Sequence, residues 1–276
     1  TSDSITPPYF ISLPTENDRF TVTGSISFNG SDNLPVSGLQ VMVVDEKEQR
    51  ISTIAQTTVL GQFSVQIWSN NLGDSATLVV QDQRRRLPKL RRPIVLGDGQ
   101  ESVIVPPIIL GLESSLFDFS GSVIGEGPMA GASVSMVSLL GDGILSPSIP
   151  TTRSSGMFYT QLFAGEYLVQ VVPPITSPFG MLRIKADLAS TSSLVLRPPL
   201  KGTFRGILKD TDGTPIANAG VDATLLSPNF GQSELMNSHL PIPSRVSHTT
   251  TDEQGVFELQ LEPGQYEYRF KPPIRS

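Results

Sequence analysis

Two histidines, His239 and His248, are the only imidazoles in 276 residues. Any general-base, proton-shuttle or imidazole–metal chemistry has to start from them. They lie nine residues apart in segment 227–249, without the HExxH spacing that sets two imidazoles on one helix face. They read as a solvated loop pair. Serines are plentiful, yet none sits in a G-x-S-x-G elbow, and no GxxxxGK[ST] phosphate loop occurs. The stretch "DTDG" at 210–213 opens like a calcium loop, but Val221 stands where a bidentate glutamate is required. It reads as a turn, as do "LGDGQ" (96–100) and "GDGI" (141–144). No catalytic residue, metal-ligand set or cofactor site is expected.

Binding chemistry has two better starting points. The run "RRRLPKLRR" (84–92) places Arg84, Arg85, Arg86, Lys89, Arg91 and Arg92 within nine positions of an otherwise acidic chain. As a loop or extended hairpin it could hold a glycan-borne or other anionic polymer, an acidic partner or anionic headgroups. The alternative is a solvated connection whose arginines pair with Asp82, Asp98 and Glu101, each pair contributing about 0–1 kcal/mol. Trp68, the single tryptophan, and Tyr159 fall on the outward parity of their strands, where a ring can stack on a sugar or a partner surface.

The elements that must position these residues are strands. Gly 24 and Pro 23 are too many for a helical chain, because each costs about 1–3 kcal/mol inside a helix. The net charge of −6 and a pI near 5.0 argue against nucleic acid as a partner. With Cys 0, disulfides and thiolate metal sites are excluded. The longest apolar run, 103–112, contains two prolines and is about half the twenty residues a spanning helix needs, so no transmembrane segment is expected.

One phrase of four beats recurs three times. A short strand ends in glycine: "FTVTG" (20–24), "FDFSG" (117–121), "GTFRG" (202–206). A Pro- or Gly-marked turn leads into a second strand: "LPVSGLQVMVV" (34–44), "PMAGASVSMVSL" (128–139), "TPIANAGVDATLL" (214–226). A glycine then opens an alternating strand: "GQFSVQI" (61–67), "GMFYTQL" (156–162), "GVFELQL" (255–261). The fourth beat is a turn and strand: "LGDSATLVVQD" (72–82), "AGEYLVQVVPP" (164–174), "PGQYEYRFKPP" (263–273). In the third beat Phe257, Leu259 and Leu261 alternate with Glu258, Gln260 and Glu262, the period of a half-buried strand. Tyr167 and Tyr266 each follow a turn glycine by two and are expected beneath a sandwich corner.

A fifth beat, "SVIVPPIIL" (102–110) and "SSLVLRPPL" (192–200), closes the first two units. "SITPPYFISL" (4–13) is a related phrase, so residues 1–17 read as a linker strand or the tail strand of a preceding unit. The third unit reaches "KPPIRS" without a fifth beat. Either a downstream continuation supplies it, or a strand is borrowed at that open edge, from a protein partner or a further copy of the same chain.

The spacing Thr250, Thr251, Asp252, Gly255, Phe257, Leu259, Leu261, Pro263, Gly264, Tyr266 resembles that of carboxypeptidase regulatory-like repeats. "GTPIANAGV" (213–221) is similar to the same family's G-x-P-I-x-G-A-x-V, with Asn218 where glycine is common, and "MAGASV" (129–134) matches it too. The first unit, with "PVSGLQV" (35–41), departs further. The resemblance implies an all-β chain: a tandem array of three transthyretin-like (prealbumin-like) Greek-key β-sandwich domains, at 18–112, 113–200 and 201–276, the last without its final strand. Isopeptide-bonded adhesin repeats share the phrase. They require a buried lysine facing an asparagine and a carboxylate, and Lys209 is near the lysine position but lacks the strand to carry the asparagine. The role the resemblance implies is non-catalytic: spacing, adhesion or assembly in a secreted or envelope-bound bacterial structure. A carbohydrate- or polyanion-binding module is the alternative, and a transthyretin-like hydrolase a third.

Overall fold

The computed structural model describes residues 19–29, 34–68, 75–84, 86–96, 102–112, 115–140, 143–147, 149, 151–190, 193–231 and 240–273. Those residues form strands and no α-helix. The chain divides into two compact units, 1–85 with 89–113 and 86–88 with 114–276.

In the first unit β1 (Arg19–Asn29) is flanked by antiparallel β4 (Gln62–Trp68) and, in parallel, by β7 (Ser102–Ile104) and β8 (Ile108–Leu112). A second sheet runs in the order β6 (Lys89–Ile94), β5 (Ala76–Gln81), β2 (Gln40–Val44), β3 (Ala55–Gln56). Val22, Val65 and Ile67 on the first sheet and Val41, Val43 and Leu78 on the second are fully buried. Those residues sit at alternate positions, as the period-two pattern requires.

The second unit starts with the same plan. One sheet places β9 (Leu116–Val123) between antiparallel β12 (Met157–Phe163) and parallel β15 (Leu194–Leu196). The other takes the order β14 (Leu182–Leu188), β13 (Gly165–Val172), β10 (Ser133–Leu140), β11 (Gly143–Ser146). Its core joins Phe119, Phe158, Tyr167, Val169, Val171, Leu188 and Leu196. A third pair of sheets follows, with fewer strands. Here β16 (Gly202–Ile207) pairs with β19 (Val256–Leu261), and β17 (Gly220–Pro228) lies between β18 (Val246–Thr250) and β20 (Gly264–Lys271).

The recurring phrase is a recurring set of hydrogen bonds. The amides of Ile26, Val123 and Leu208 donate to the carbonyls of Gly61, Gly156 and Gly255, whose φ values are 71°, 71° and 72°. A Cβ there would press on the backbone oxygen of the donating residue, Ile26, Val123 or Leu208, so glycine is required by both torsion and space. Thr57, Thr152 and Thr251, all buried, each use Oγ1 to accept from the amide of Leu39, Ala132 or Ala219. Asn218 adopts φ 57° where the other two turns use Gly38 and Gly131, a conformation asparagine tolerates better than most side chains. The first-beat glycines Gly24, Gly121 and Gly206 all lie under a ring, of Phe63, Phe158 and Phe257 respectively. Tyr167 and Tyr266 donate their hydroxyls to the carbonyls of Phe163 and Glu262, both at 3.0 Å. Burial pushes each phenol up to about 12, helped at Tyr266 by the Glu262 charge.

Of the two forms expected for the basic run, the extended hairpin is the one found: Lys89–Ile94 is strand β6, antiparallel to β5. One feature departs from the sequence reading: the Pro-Pro pairs of the fifth beat do not superpose. Ile108 stands opposite Ile26, two residues after Gly24, and Leu196 stands opposite Val123, two residues after Gly121. The prolines precede that point in the first case and follow it in the second. The likeness of the two phrases therefore marks composition of a closing strand rather than its register.

Candidate functional site

The site begins with a strand edge. β1 and β9 each carry a neighbour on both sides, whereas β16 among the described residues pairs only with β19. β5 and β13 are likewise bordered on both sides, and β20 only by β17. Both unpaired edges belong to the positions that β15 and β14 occupy in the preceding sheet pair. Exposed backbone donors and acceptors on a strand edge are a template for pairing with another chain.

Side chains behind those edges are correspondingly uncovered. The residue two before the first-beat glycine is Val22 at 0% exposure, Phe119 at 3% and Phe204 at 41%. On the facing sheet, Val80 opposite Val41 and Val171 opposite Val134 are at 3% and 0%, while Phe270 opposite Val221 is at 47%. What covers Phe119 and Val171 is supplied by β14 and β15, through Leu182, Ile184, Leu188, Leu194 and Leu196. No described residue plays that part for Phe204 and Phe270.

The uncovered residues are also the wrong size for a simple edge. Tyr268 and Phe270 stand where β13 carries Val169 and Val171. Phe204 packs on Tyr268 with ring centroids 5.2 Å apart and on Phe257 at 6.1 Å, and Phe257 meets Phe270 at 6.1 Å. The result is a ring cluster with one side open to solvent. Aromatic rings bury much area at low conformational cost, which makes such a cluster a strong anchor for a partner.

The same sheet pair is held to the one before it by a polar seam within the second unit. Arg183 is 2% exposed; its Nε donates to Gln170 Oε1 at 2.9 Å and one terminal nitrogen to the carbonyl of Leu240 at 3.0 Å. Its guanidinium covers the Phe230 ring at 4.6 Å. Gln170 donates to the Pro241 carbonyl at 3.0 Å. Arg245 bridges Glu262 and the Pro173 carbonyl. Lys201 donates to the carbonyls of Ser177 and Ile175, and burial, then the Arg245 charge, lowers its pKa. A cleft of about 520 Å³ between Thr176, Lys201, Arg245, His248, Glu258 and Tyr266 opens beside this seam. Lys201 and Arg245 there are already engaged by carbonyls and a carboxylate, while Glu262 Oε2 is buried without a hydrogen-bond partner among the described residues.

The sequence-predicted site residues are dispersed. Tyr159 is 48% exposed, opposite Ser120, with Arg153 over its ring at 5.8 Å and its hydroxyl against Met157 Sδ. Trp68 closes β4 opposite Arg19, its side chain outside the described residues, where Arg85, Asp98 and Glu101 also lie. Arg91 makes a two-pronged pair with Glu48, whose carboxyl that contact holds below its usual range. Arg92 donates to the Pro106 carbonyl at 3.0 Å. Arg84 is exposed, its amide donating to Asp82. Lys89 lies half-buried on β6. Arg86 is exposed and belongs to the second unit. His239 is outside the described residues; His248 Nδ1 meets Asp222 Oδ1 at 2.6 Å, and Lys271 reaches the other oxygen at 2.6 Å. Lys209 is exposed, and among the described residues no group of three or more His, Cys, Asp or Glu could hold a metal. Phe204, Tyr268 and Phe270 were not singled out from sequence.

Comparison with protein-family models returned no match, and comparison with the curated proteins returned none. Among solved structures the chain is similar to a streptococcal ancillary pilin (14% identity, 93% of this chain and 91% of that one, TM-score 0.32). It is also similar to the major pilin subunit of Bacillus cereus (10%, 91% and 87%, 0.26) and to a shaft pilin of Lactobacillus rhamnosus GG (11%, 67% and 98%, 0.26).

Proposed function

We propose that this chain is a non-catalytic structural module of a bacterial surface or envelope, built from three carboxypeptidase-regulatory-like sandwiches at 18–112, 113–200 and 201–276. Its work is to join polypeptides through the open side of the third. One observation carries the reading: Phe204 and Phe270 are 41% and 47% exposed at positions whose counterparts are buried in both other sheet pairs. An uncovered ring cluster flanked by two strand edges invites pairing with a further strand. Repetition of one sandwich suits a spacer, since each copy extends reach without new chemistry. The comparisons with pilins agree in kind, but the weight rests on the open side.

Sedimentation of the intact chain over a concentration series tests this, alongside a Phe204→Ser/Phe270→Ser variant. Association that grows with concentration and is lost in the variant is the expected result. A wild-type chain that stays monomeric throughout, or a variant that associates equally, sinks the reading.

A further inference from the structure

We infer that the edge formed by β18 and β19 is a second binding site, which takes a short extended peptide segment carrying an uncharged hydrogen-bond donor. It lies across the third sheet pair from the open edges of β16 and β20, so its occupation does not depend on assembly through them. The same place is capped in the first sheet pair. There Thr53, four residues before the buried Thr57, donates its amide to the Gln66 carbonyl at 2.8 Å and accepts from the Gln66 amide through Oγ1 at 2.9 Å. Gln260 is the counterpart of Gln66, since each stands opposite a threonine three residues before the first-beat glycine. Ser247, four before Thr251, is the counterpart of Thr53, yet it brings only a hydroxyl, 3.5 Å from the Gln260 carbonyl. The cause is a change of allegiance: β3 pairs with β2 over two residues and Ser52 then bridges to Ile67 of β4, whereas β18 stays on β17 for five.

Backbone groups are left facing outward as a result. The Leu208 amide donates to the Gly255 carbonyl, and antiparallel alternation then turns the backbone of Phe257, Leu259 and Leu261 toward β16 and that of Glu258 and Gln260 away from it. Among the described residues no other backbone group pairs with those two. Both line the cleft of about 520 Å³, a volume in the range of ligand-holding clefts. Its floor sets the chemistry. Glu262 lines the cleft, is 6% exposed, and its Oε2 has no hydrogen-bond partner, so a buried carboxylate oxygen lacks a donor. A further cation does not suit the place, because Lys201 and Arg245 balance Glu258 and Glu262, and His248 is turned to Asp222. A side-chain amide or hydroxyl supplies the proton without adding charge. Glu262 shares the parity of Glu258 and Gln260, so a cross-strand side chain on that face of an added strand falls beside it. Ile175 and Val246, 64% and 46% exposed, give the rim apolar surface for the flanking residues. Backbone pairing along β19 and one side chain in the cleft are together the mode of strand-addition recognition.

Titration of the full chain with capped peptides Thr-Val-X-Val-Thr-Val, where X is glutamine, leucine or glutamate, tests this through amide chemical shifts. The glutamine peptide is expected to move the Glu258 and Gln260 resonances. It should bind at least about tenfold more tightly than the other two, the effect of one hydrogen bond to a buried carboxylate. Gln260→Pro removes an outward N–H that β16 does not use, a change that edge strands tolerate. It should abolish the response while far-ultraviolet dichroism and self-association stay as in the wild type, so this site and assembly through β16 and β20 fail separately. Glu262→Gln puts a donor where the unmatched acceptor stood and should turn the preference to the glutamate peptide. If that variant does not fold, the wild-type preference and Gln260→Pro still decide. No shift at Glu258 or Gln260 with any peptide, or an undiminished response in Gln260→Pro, overturns the inference. Equal binding of all three peptides means that solvent meets Glu262, and overturns the uncharged donor as the feature recognised.

Discussion

The second and third sheet pairs share a backbone plan down to individual hydrogen bonds, yet one is closed and the other open. Both place a buried threonine under the second beat, a glycine under a phenylalanine ring and a tyrosine hydroxyl on a carbonyl four residues back. The difference is confined to one side. Among the described residues, the second pair adds β14 and β15 and joins thirteen buried residues in one core cluster, whereas the third joins Val221, Ala223, Phe257, Leu259 and Leu261. A core of five cannot exclude water from residues at its rim, and rings stand where smaller aliphatic side chains serve elsewhere. The lesson is that conserved turn geometry specifies strand placement locally, while closure of the sandwich depends on strands supplied later or from outside.

The sharpest way to break the comparison is to truncate the equivalent ring in each. Phe119→Ala removes a side chain 3% exposed from a packed core and should cost about 3–5 kcal/mol, the range for burying and then deleting a phenylalanine. Phe204→Ala removes a ring already 41% exposed and should cost about half as much or less in the isolated chain. Urea unfolding of both variants checks it. Equal losses would mean that Phe204 is covered in solution, by a second copy or by another part of the chain, and that the open side is closed in practice.

Much of this plan was legible because its signals are local. Alternation in "VFELQL" and "MFYTQL" fixes a strand whatever surrounds it, and a glycine forced to positive φ leaves a mark at a fixed offset. β14 reads "LRIKADL", where Leu182, Ile184, Ala186 and Leu188 alternate with charge and pack on the core, so its strand signal is as local as that of the third beat. β6 was less legible for the opposite reason. It reads "KLRRPI", with a proline and three cations, and its buried face shows only as Leu90 and Ile94, so pairing to β5 decides it, and pairing is non-local. The candidate site escaped notice for a related reason. Exposure of Phe204 is a property of what does not lie beside it, and no residue type encodes that.

A smaller effect separates the two pairs along their polar seam. Arg183→Met keeps the length of the side chain and removes its hydrogen bonds to Gln170 and the Leu240 carbonyl. Leaving those buried acceptors unmatched should cost about 1–3 kcal/mol. Because one bond runs from β14 to the Leu240 carbonyl and the other orients Gln170, which donates to the Pro241 carbonyl, the loss should appear as faster amide exchange mainly in the third pair, with a smaller change on β13. Uniform loss of protection would show that the two pairs unfold as one cooperative body, and the contrast between a closed and an open sandwich would then have no energetic meaning.

The smallest expected effect lies on the outer face of the third pair, where Asp222 accepts from His248 on β18 and Lys271 on β20. Lys271 first and His248 second hold its carboxyl below the ordinary aspartate range. A depressed folded pKa means that this contribution is present above the unfolded pKa and is lost as pH falls through the folded one. The cluster faces water and its ions are screened. Asp222→Asn should therefore flatten the acid limb of stability only slightly, and added salt should mimic it. Thermal midpoints measured from pH 7 to pH 2, with and without 0.5 M salt (roughly a 4 Å screening length), check this. A large salt-insensitive loss in Asp222→Asn would show that the three strands β18, β17 and β20 depend on this cluster for their pairing, and that the open sheet is held from its outer face rather than by its core of rings.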